Sequence, residues 1–147
     1  KEVDIPEMPG LLAIFEKPEI QEAFEKAPPL FDKRIKSVFV LCPAIGQGFP
    51  GSENFRDVTI PVYIVAVGKD QIAPPKTNAD HFAKMIKTSR YKIVDPAAGH
   101  YVFLNEAKDQ LKTEAPIFFK DAAVVNRKAV HEKTLGLAID HFEKTLK

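Results

Sequence analysis

Val62-Tyr63-Ile64-Val65-Ala66-Val67-Gly68-Lys69-Asp70 decides the fold. Six apolar residues, mostly β-branched or aromatic, are opened by Pro61 and closed by Gly68, which is the pattern of a strand covered on both faces. Downstream, after Pro74-Pro75, the apolar positions Ala79, Phe82, Ala83 and Ile86 fall at i, i+3, i+4 and i+7 and predict a helix. Tyr91-Lys92-Ile93-Val94 then reads as a third, shorter strand, stopped by Asp95-Pro96 and the Gly99-His100 turn. A helical crossover makes that strand parallel to Val62–Val67, with right-handed winding. Upstream, Ile35-Lys36-Ser37-Val38-Phe39-Val40-Leu41-Cys42 ends in four apolar residues before Pro43 and predicts the first strand.

The class is therefore α/β, with about three parallel strands flanked by helices. A loop with Gly46, Gly48, Pro50 and Gly51 and a short helix around Glu53 to Asp57 join the first two strands. The last stretch, from Arg127, places Leu135, Ala138, Ile139, Phe142 and Leu146 on one stripe with Asn126 as N-cap, so a terminal amphipathic helix is expected to cover one sheet face. Residues 1–34 differ in character: Pro6, Pro9, Pro18 and Pro28-Pro29 interrupt short helical stretches, and Pro18 opens a helix from Glu19 to Lys26 with Ile20, Ala23 and Phe24 on one face and Glu22 paired with Lys26. This segment reads as a helical cap or connection, and 35–147 as the α/β part. Three buried parallel strands leave two unprotected edges, so a further strand is expected to pair with the first. The expected supplier is chain upstream of Lys1, which is not an initiator Met, or a partner chain.

Composition narrows the partners. With 21 Lys and Arg against 20 Asp and Glu, a formal charge of +1 makes neither nucleic acid nor an anionic membrane an expected partner. One cysteine forms no disulfide within the chain, and no apolar run approaches the roughly 18 residues of a membrane-spanning helix. The compartment is left open.

In open parallel sheets, reactive groups gather beyond the carboxyl ends of the strands. Asp70 follows the second strand by three residues, and His100 follows the third in Ala97-Ala98-Gly99-His100-Tyr101-Val102-Phe103-Leu104. Both fall on one rim. There a carboxylate accepts the Nδ1 proton of an imidazole, fixes its tautomer and stabilises the imidazolium formed when Nε2 takes a proton from a nucleophile.

The stretch from Asp70 through Asn78-Ala79-Asp80-His81-Phe82 to Gly99-His100-Tyr101-Val102-Phe103-Leu104 resembles the C-terminal half of an α/β-hydrolase, most of all the predicted dienelactone hydrolases, a branch similar to the platelet-activating-factor acetylhydrolases. The resemblance covers roughly residues 33 to 147. In that fold the triad order is Ser or Cys, then Asp, then His, which Asp70 and His100 follow. It implies hydrolysis of a small carboxylic ester or lactone through an acyl-enzyme, with no metal or organic cofactor. The nucleophile elbow, Gly-x-Ser-x-Gly on a strand-to-helix turn, is absent: Ser37 is read inside a strand, Ser52 in Pro50-Gly51-Ser52-Glu53-Asn54, and Ser89 at a helix end. The oxyanion-hole segments are missing too. The chain is thus expected to carry acid and base without a nucleophile, to be inactive alone, and to need the N-terminal half of the same protein or a second copy.

Each feature has a plainer reading. Asp70 is also an ordinary turn aspartate, and His100 a loop histidine after a glycine. Cys42 precedes Asp70 and His100 in triad order, but Val40 and Ala44 stand where an elbow needs glycine and Pro43 where a helix should start, so it reads as a buried thiol at a strand end. Gly46-Gln47-Gly48 lacks a third glycine and reads as a turn. His131-Glu132 begins an H-E-x-x pattern whose fifth position is Leu135, so no helical zinc pair forms. His81 and His141 read as surface residues on helices, Lys69 as a solvated neighbour of Asp70, and Tyr101, Phe103 and Phe49 as packing aromatics. The alternative to a hydrolase is a non-catalytic binding module that keeps the fold without the nucleophile.

Overall fold

A computed structural model describes residues 10–27 and 32–147. Two compact units divide the chain, Lys1–Lys33 and Arg34–Lys147. In the first lie α1 (Leu11–Phe15) and α2 (Pro18–Glu25). Pro18 occupies the first turn of α2, where its missing N–H is no loss, and Lys26 pairs with Glu22 one turn back. Phe15 and Phe24 meet at 5.8 Å between ring centroids. No residue of α2 is buried. The breaks expected at Pro6, Pro9 and Pro28-Pro29 lie outside the described residues.

The second unit runs β1 (Val38–Leu41), β2 (Val62–Val67), α3 (Ala79–Met85), β3 (Ser89–Asp95), α4 (Asp109–Glu114), α5 (Pro116–Phe119) and α6 (Arg127–Thr145). The three strands form one parallel sheet in the order β1-β2-β3, flanked by helices. β1 is shorter than the expected Ile35–Cys42, and β3 longer than Tyr91–Val94. The junction between β1 and β2 carries a 3-10 turn at Ser52–Phe55 in place of a helix. Between β3 and α6, α4 and α5 fill a stretch the periodicity left without elements; Pro116 opens α5 as a first-turn proline.

Strand geometry explains why β2 decides the fold. Successive side chains point to opposite faces, so a fully apolar strand feeds two cores at once. Tyr63, Val65 and Val67 enter one cluster with Cys42, Val94, Ala98, Val102 and Val130, the last from α6. Val62, Ile64 and Ala66 enter the other with Ala79, Phe82 and Ile86 from α3 and its end. Every residue of β2 is buried, whereas β1 is half-buried and β3 alternates with solvent. At about 1.5–3 kcal/mol for each buried Val or Ile, the central strand contributes most of the sheet's apolar stabilisation.

α6 starts as expected: the Asn126 side chain accepts from the Ala129 N–H at 3.0 Å. Its buried face differs from the expected stripe. Leu135, Ile139 and Leu146 are exposed, while Val130, Thr134 and His141 are buried and Leu137 packs on the first cluster. Of the polar members of that face, Thr134 is satisfied within the helix and His141 at one ring nitrogen, its buried Nδ1 having no hydrogen-bond partner among the described residues. Thr134 Oγ1 donates to the Val130 carbonyl at 2.7 Å. His141, expected on the surface, is 1% exposed, with Nε2 hydrogen-bonded to Ser37 Oγ at 2.7 Å and its ring against Phe39, Tyr63 and Phe142.

Burial pushes the His141 imidazole below its ordinary value. The unfolded chain then holds more protons than the folded one as pH falls through the unfolded value near ~6.5, so stability is full above that pH and declines below it. Urea midpoints measured between pH 7.5 and 5 should fall for the wild-type chain. His141→Leu, close in volume and without a charge to gain, should flatten that decline.

Candidate functional site

Strand ends build the site. Asp70, three residues past β2, and Asp95, the last residue of β3, each accept at Oδ1 the backbone N–H groups two and three residues further on. Asp70 Oδ1 takes Ile72 N–H at 3.0 Å and Ala73 N–H at 2.7 Å. Asp95 Oδ1 takes Ala97 N–H at 2.7 Å and Ala98 N–H at 3.0 Å. Such turns suit Asp because its short carboxylate reaches the main chain two and three residues on. The register of β2 against β3 slips by one residue between Ala66 and Val67, so that Val67 faces Asp95, and this bulge redirects the end of β3.

The two turns are held against each other. Gly68 N–H donates to the Asp95 carbonyl at 2.9 Å and Lys69 N–H to the Ala98 carbonyl at 3.0 Å. A Cβ on Gly68 would lie 2.3 Å from the Pro96 carbonyl oxygen and 2.7 Å from its Cα, so only glycine permits the approach. As a result the second carboxylate oxygen of Asp70, Oδ2, accepts from His100 Nδ1 at 2.8 Å. The Asp70 side chain is 1% exposed and that of His100 24%. The turn reading of Asp70 and the pairing reading are both realised, one on each oxygen.

His100 opens a 3-10 turn, His100–Phe103, which α6 secures from behind. His131 Nε2 donates to the Val102 carbonyl at 2.6 Å. The Arg127 guanidinium donates to the Leu104, Asn105 and Phe118 carbonyls and pairs with both oxygens of Asp121 at 2.7 and 3.0 Å. Arg127 is buried although it sits in the first turn of a helix, a position that by itself does not point to its role. The signal available was Asp121, six residues back, a carboxylate able to neutralise it.

Cys42 is the residue whose part in the site the sequence reading missed. It is buried at the end of β1, as expected, but it adopts a left-handed backbone with φ of 43°, and its sulfur, an Asp70 carboxylate oxygen and a His100 ring nitrogen lie within 4.8 Å of one another. Burial first, and then the facing Asp70 carboxylate, pushes the Cys42 thiol up to about 12. The thiol is therefore protonated at neutral pH and is a poor nucleophile. Its position was legible in principle, because β1 lies beside β2 and a residue just past its end must share the rim that carries Asp70.

The serines lie elsewhere. Ser37 precedes β1, at the opposite rim of a parallel sheet, and is engaged with His141. Ser52 is on an exposed turn, and Ser89 is the first residue of β3, its hydroxyl donating to the Ala83 carbonyl, and does not end a helix. Gly46-Gln47-Gly48 forms a 3-10 turn whose Gly46 N–H is held by the Asn78 side chain at 2.9 Å, and a Cβ there would strike the Thr77 carbonyl at 2.2 Å. His81 donates to the Phe49 carbonyl, and Phe49 packs on Phe55 and Phe82.

Two cavities flank His100. One of about 270 Å³ has mixed walls, with Lys69, Gln71, Ile72, Tyr101, Ile117 and Lys120 among them. The other, of about 220 Å³, is lined by Leu41, Cys42, His100, Tyr101, Phe103 and Leu104. Tyr101 and Phe103 thus border a hollow as well as packing, Tyr101 lying edge-on to Phe118 at 4.7 Å. Comparison with family models, with curated proteins and with solved structures gives no match.

Two substitutions separate the roles of Asp70. Asp70→Asn keeps an acceptor for Ile72 and Ala73 and should leave stability within about 1 kcal/mol, whereas Asp70→Ala orphans two N–H groups and should cost about 1–3 kcal/mol more, read from urea unfolding. Gly68→Ala should cost about 1–3 kcal/mol by overpacking and shift the His100 ring resonances in NMR spectra, because it separates the two turns.

Proposed function

We propose that Asp70 and His100 are the acid and base of an α/β-hydrolase that cleaves a carboxylic ester or lactone through a serine acyl-enzyme. The observation that carries this reading is the 2.8 Å bond from His100 Nδ1 to Asp70 Oδ2 at the carboxyl ends of adjacent parallel strands, with cavities on either side of the ring. Asp70 fixes the tautomer and stabilises the imidazolium; His100 takes the serine proton through Nε2 and returns it to the leaving alkoxide. None of the described serines is hydrogen-bonded to His100, so the nucleophile comes from a further strand. The edge of β1 that no described strand pairs with is where such a strand would pair, and exposed Leu41 on β1 with Leu135 and Ile139 on α6 are surfaces that a wider sheet and its helices would cover.

A binding module with no turnover is the second reading, favoured by one observation: the nearest group of nucleophilic type, Cys42, is buried beside the Asp70 carboxylate, and both burial and that charge disfavour its thiolate. The full gene product decides between them. Under the hydrolase reading a fluorophosphonate probe labels a serine outside the described residues, and Asp70→Asn and His100→Ala each lower ester turnover by about three to four orders of magnitude. Absence of labelling, or a His100→Ala rate equal to wild type, overturns it in favour of the binding module.

A further inference from the structure

The ends of β1, β2 and β3 bring a thiol, a carboxylate and an imidazole together, and no other group of three or more His, Cys, Asp or Glu side chains converges this way among the described residues. Asp70 and Cys42 are buried, and His100 is partly exposed. We propose that Cys42, Asp70 and His100 form a binding site for a thiophilic divalent cation of the zinc type, and that the cation competes with the Asp70–His100 hydrogen bond.

The donor set selects the metal class. A thiolate favours soft and borderline ions, an imidazole suits zinc, and Mg²⁺ or Ca²⁺ would require oxygen ligands that are not gathered here. Zinc holds sulfur at about 2.3 Å and nitrogen or oxygen at about 2.0–2.2 Å, so tetrahedral ligands stand roughly 3.3–3.6 Å apart. The widest separation, at most 4.8 Å, has about 1 Å to close, while Asp70 Oδ2 and His100 Nδ1, now 2.8 Å apart, must part by about half an ångström. His100, partly exposed at the start of its turn, is the member free to adjust. Asp70 is already aimed, because Oδ1 is held by the Ile72 and Ala73 N–H groups, the outer support that metal-binding carboxylates use. The cavity lined by Leu41, Cys42, His100, Phe103 and Leu104 gives a path to the sulfur.

Charge and proton balance follow. The S–H bond of Cys42 breaks, a sulfur–metal bond forms and the proton passes to solvent, with no change of oxidation state. Thiolate and carboxylate then neutralise the dication. His100 ligates through Nδ1 as the neutral ring: the Nδ1 proton that it shared with Asp70 passes to solvent and Nε2 takes one up from solvent, so the ring's one proton lies on the nitrogen facing away from the metal. The fourth position is left to water or an added ligand. Because the metal takes the carboxylate and the imidazole that otherwise bond each other, a loaded site has no acid–base pair. The proposal stands on the donor geometry alone and holds whether or not the protein is a hydrolase.

Co²⁺ added to the metal-free 147-residue chain is the test, since the chain has one cysteine and any thiolate-to-cobalt charge-transfer band must arise from Cys42. The expected result is that band in the near ultraviolet, with intense tetrahedral visible bands, both abolished by stoichiometric Zn²⁺. Cys42→Ser should remove the charge-transfer band, and Asp70→Asn and His100→Gln should each weaken Co²⁺ binding at least about tenfold. Circular dichroism confirms that each variant is folded, and a rise in the wild-type melting temperature with Zn²⁺ gives a readout that needs no variant. Only weak octahedral bands without charge transfer, or a melting temperature that Zn²⁺ leaves unchanged, overturns the site. Fluorophosphonate labelling of the full gene product in the presence of a chelator reports on the hydrolase reading separately.

Discussion

Asp70 makes two commitments with one buried carboxylate. Oδ1 closes the turn that follows β2, and Oδ2 receives the imidazole of His100. A buried carboxylate is costly unless all its lone pairs find donors. Here the donors come from its own turn and from the neighbouring strand end, so the local fold and the juxtaposition of reactive groups are the same event. The surroundings follow from it: glycine at 68, the bulge at the end of β3, and the grip of α6 on the segment after His100.

That grip shows how a helix far along the chain takes part in the site. Arg127 and His131 reach carbonyls from Val102 to Asn105, so the first two turns of α6 fix the backbone that presents His100. Val130 lies between them and enters the same apolar cluster as Val102. Packing and hydrogen bonding thus act at one place, and His100 is set on a segment anchored on both sides, by Lys69 N–H ahead of it and by α6 behind.

The unbroken apolar run of β2, the helix with Ala79, Phe82 and Ile86, and the rim shared by Asp70 and His100 were legible in sequence because each rests on a short-range pattern or on the order of strands. Resemblance to α/β-hydrolases supplied the expected role of the pair, which is a proposal about chemistry rather than a feature of the fold. The buried face of α6 was not legible. Counting apolar residues picks out Leu135, Ile139 and Leu146, whereas the buried face carries Thr134 and His141, whose hydroxyl and Nε2 are answered by Val130 and Ser37. Cys42 was judged by the residues flanking it in sequence, Val40, Pro43 and Ala44, and those say nothing of what stands opposite in the next strand.

The contact between Gly68 and Pro96 bears on how such a protein can diversify. With main chain touching main chain there, lengthening either connection would drive a wedge between them and part the carboxylate from the ring. Variation in what the site accepts is therefore steered away from these two junctions and toward α4, none of whose residues is buried.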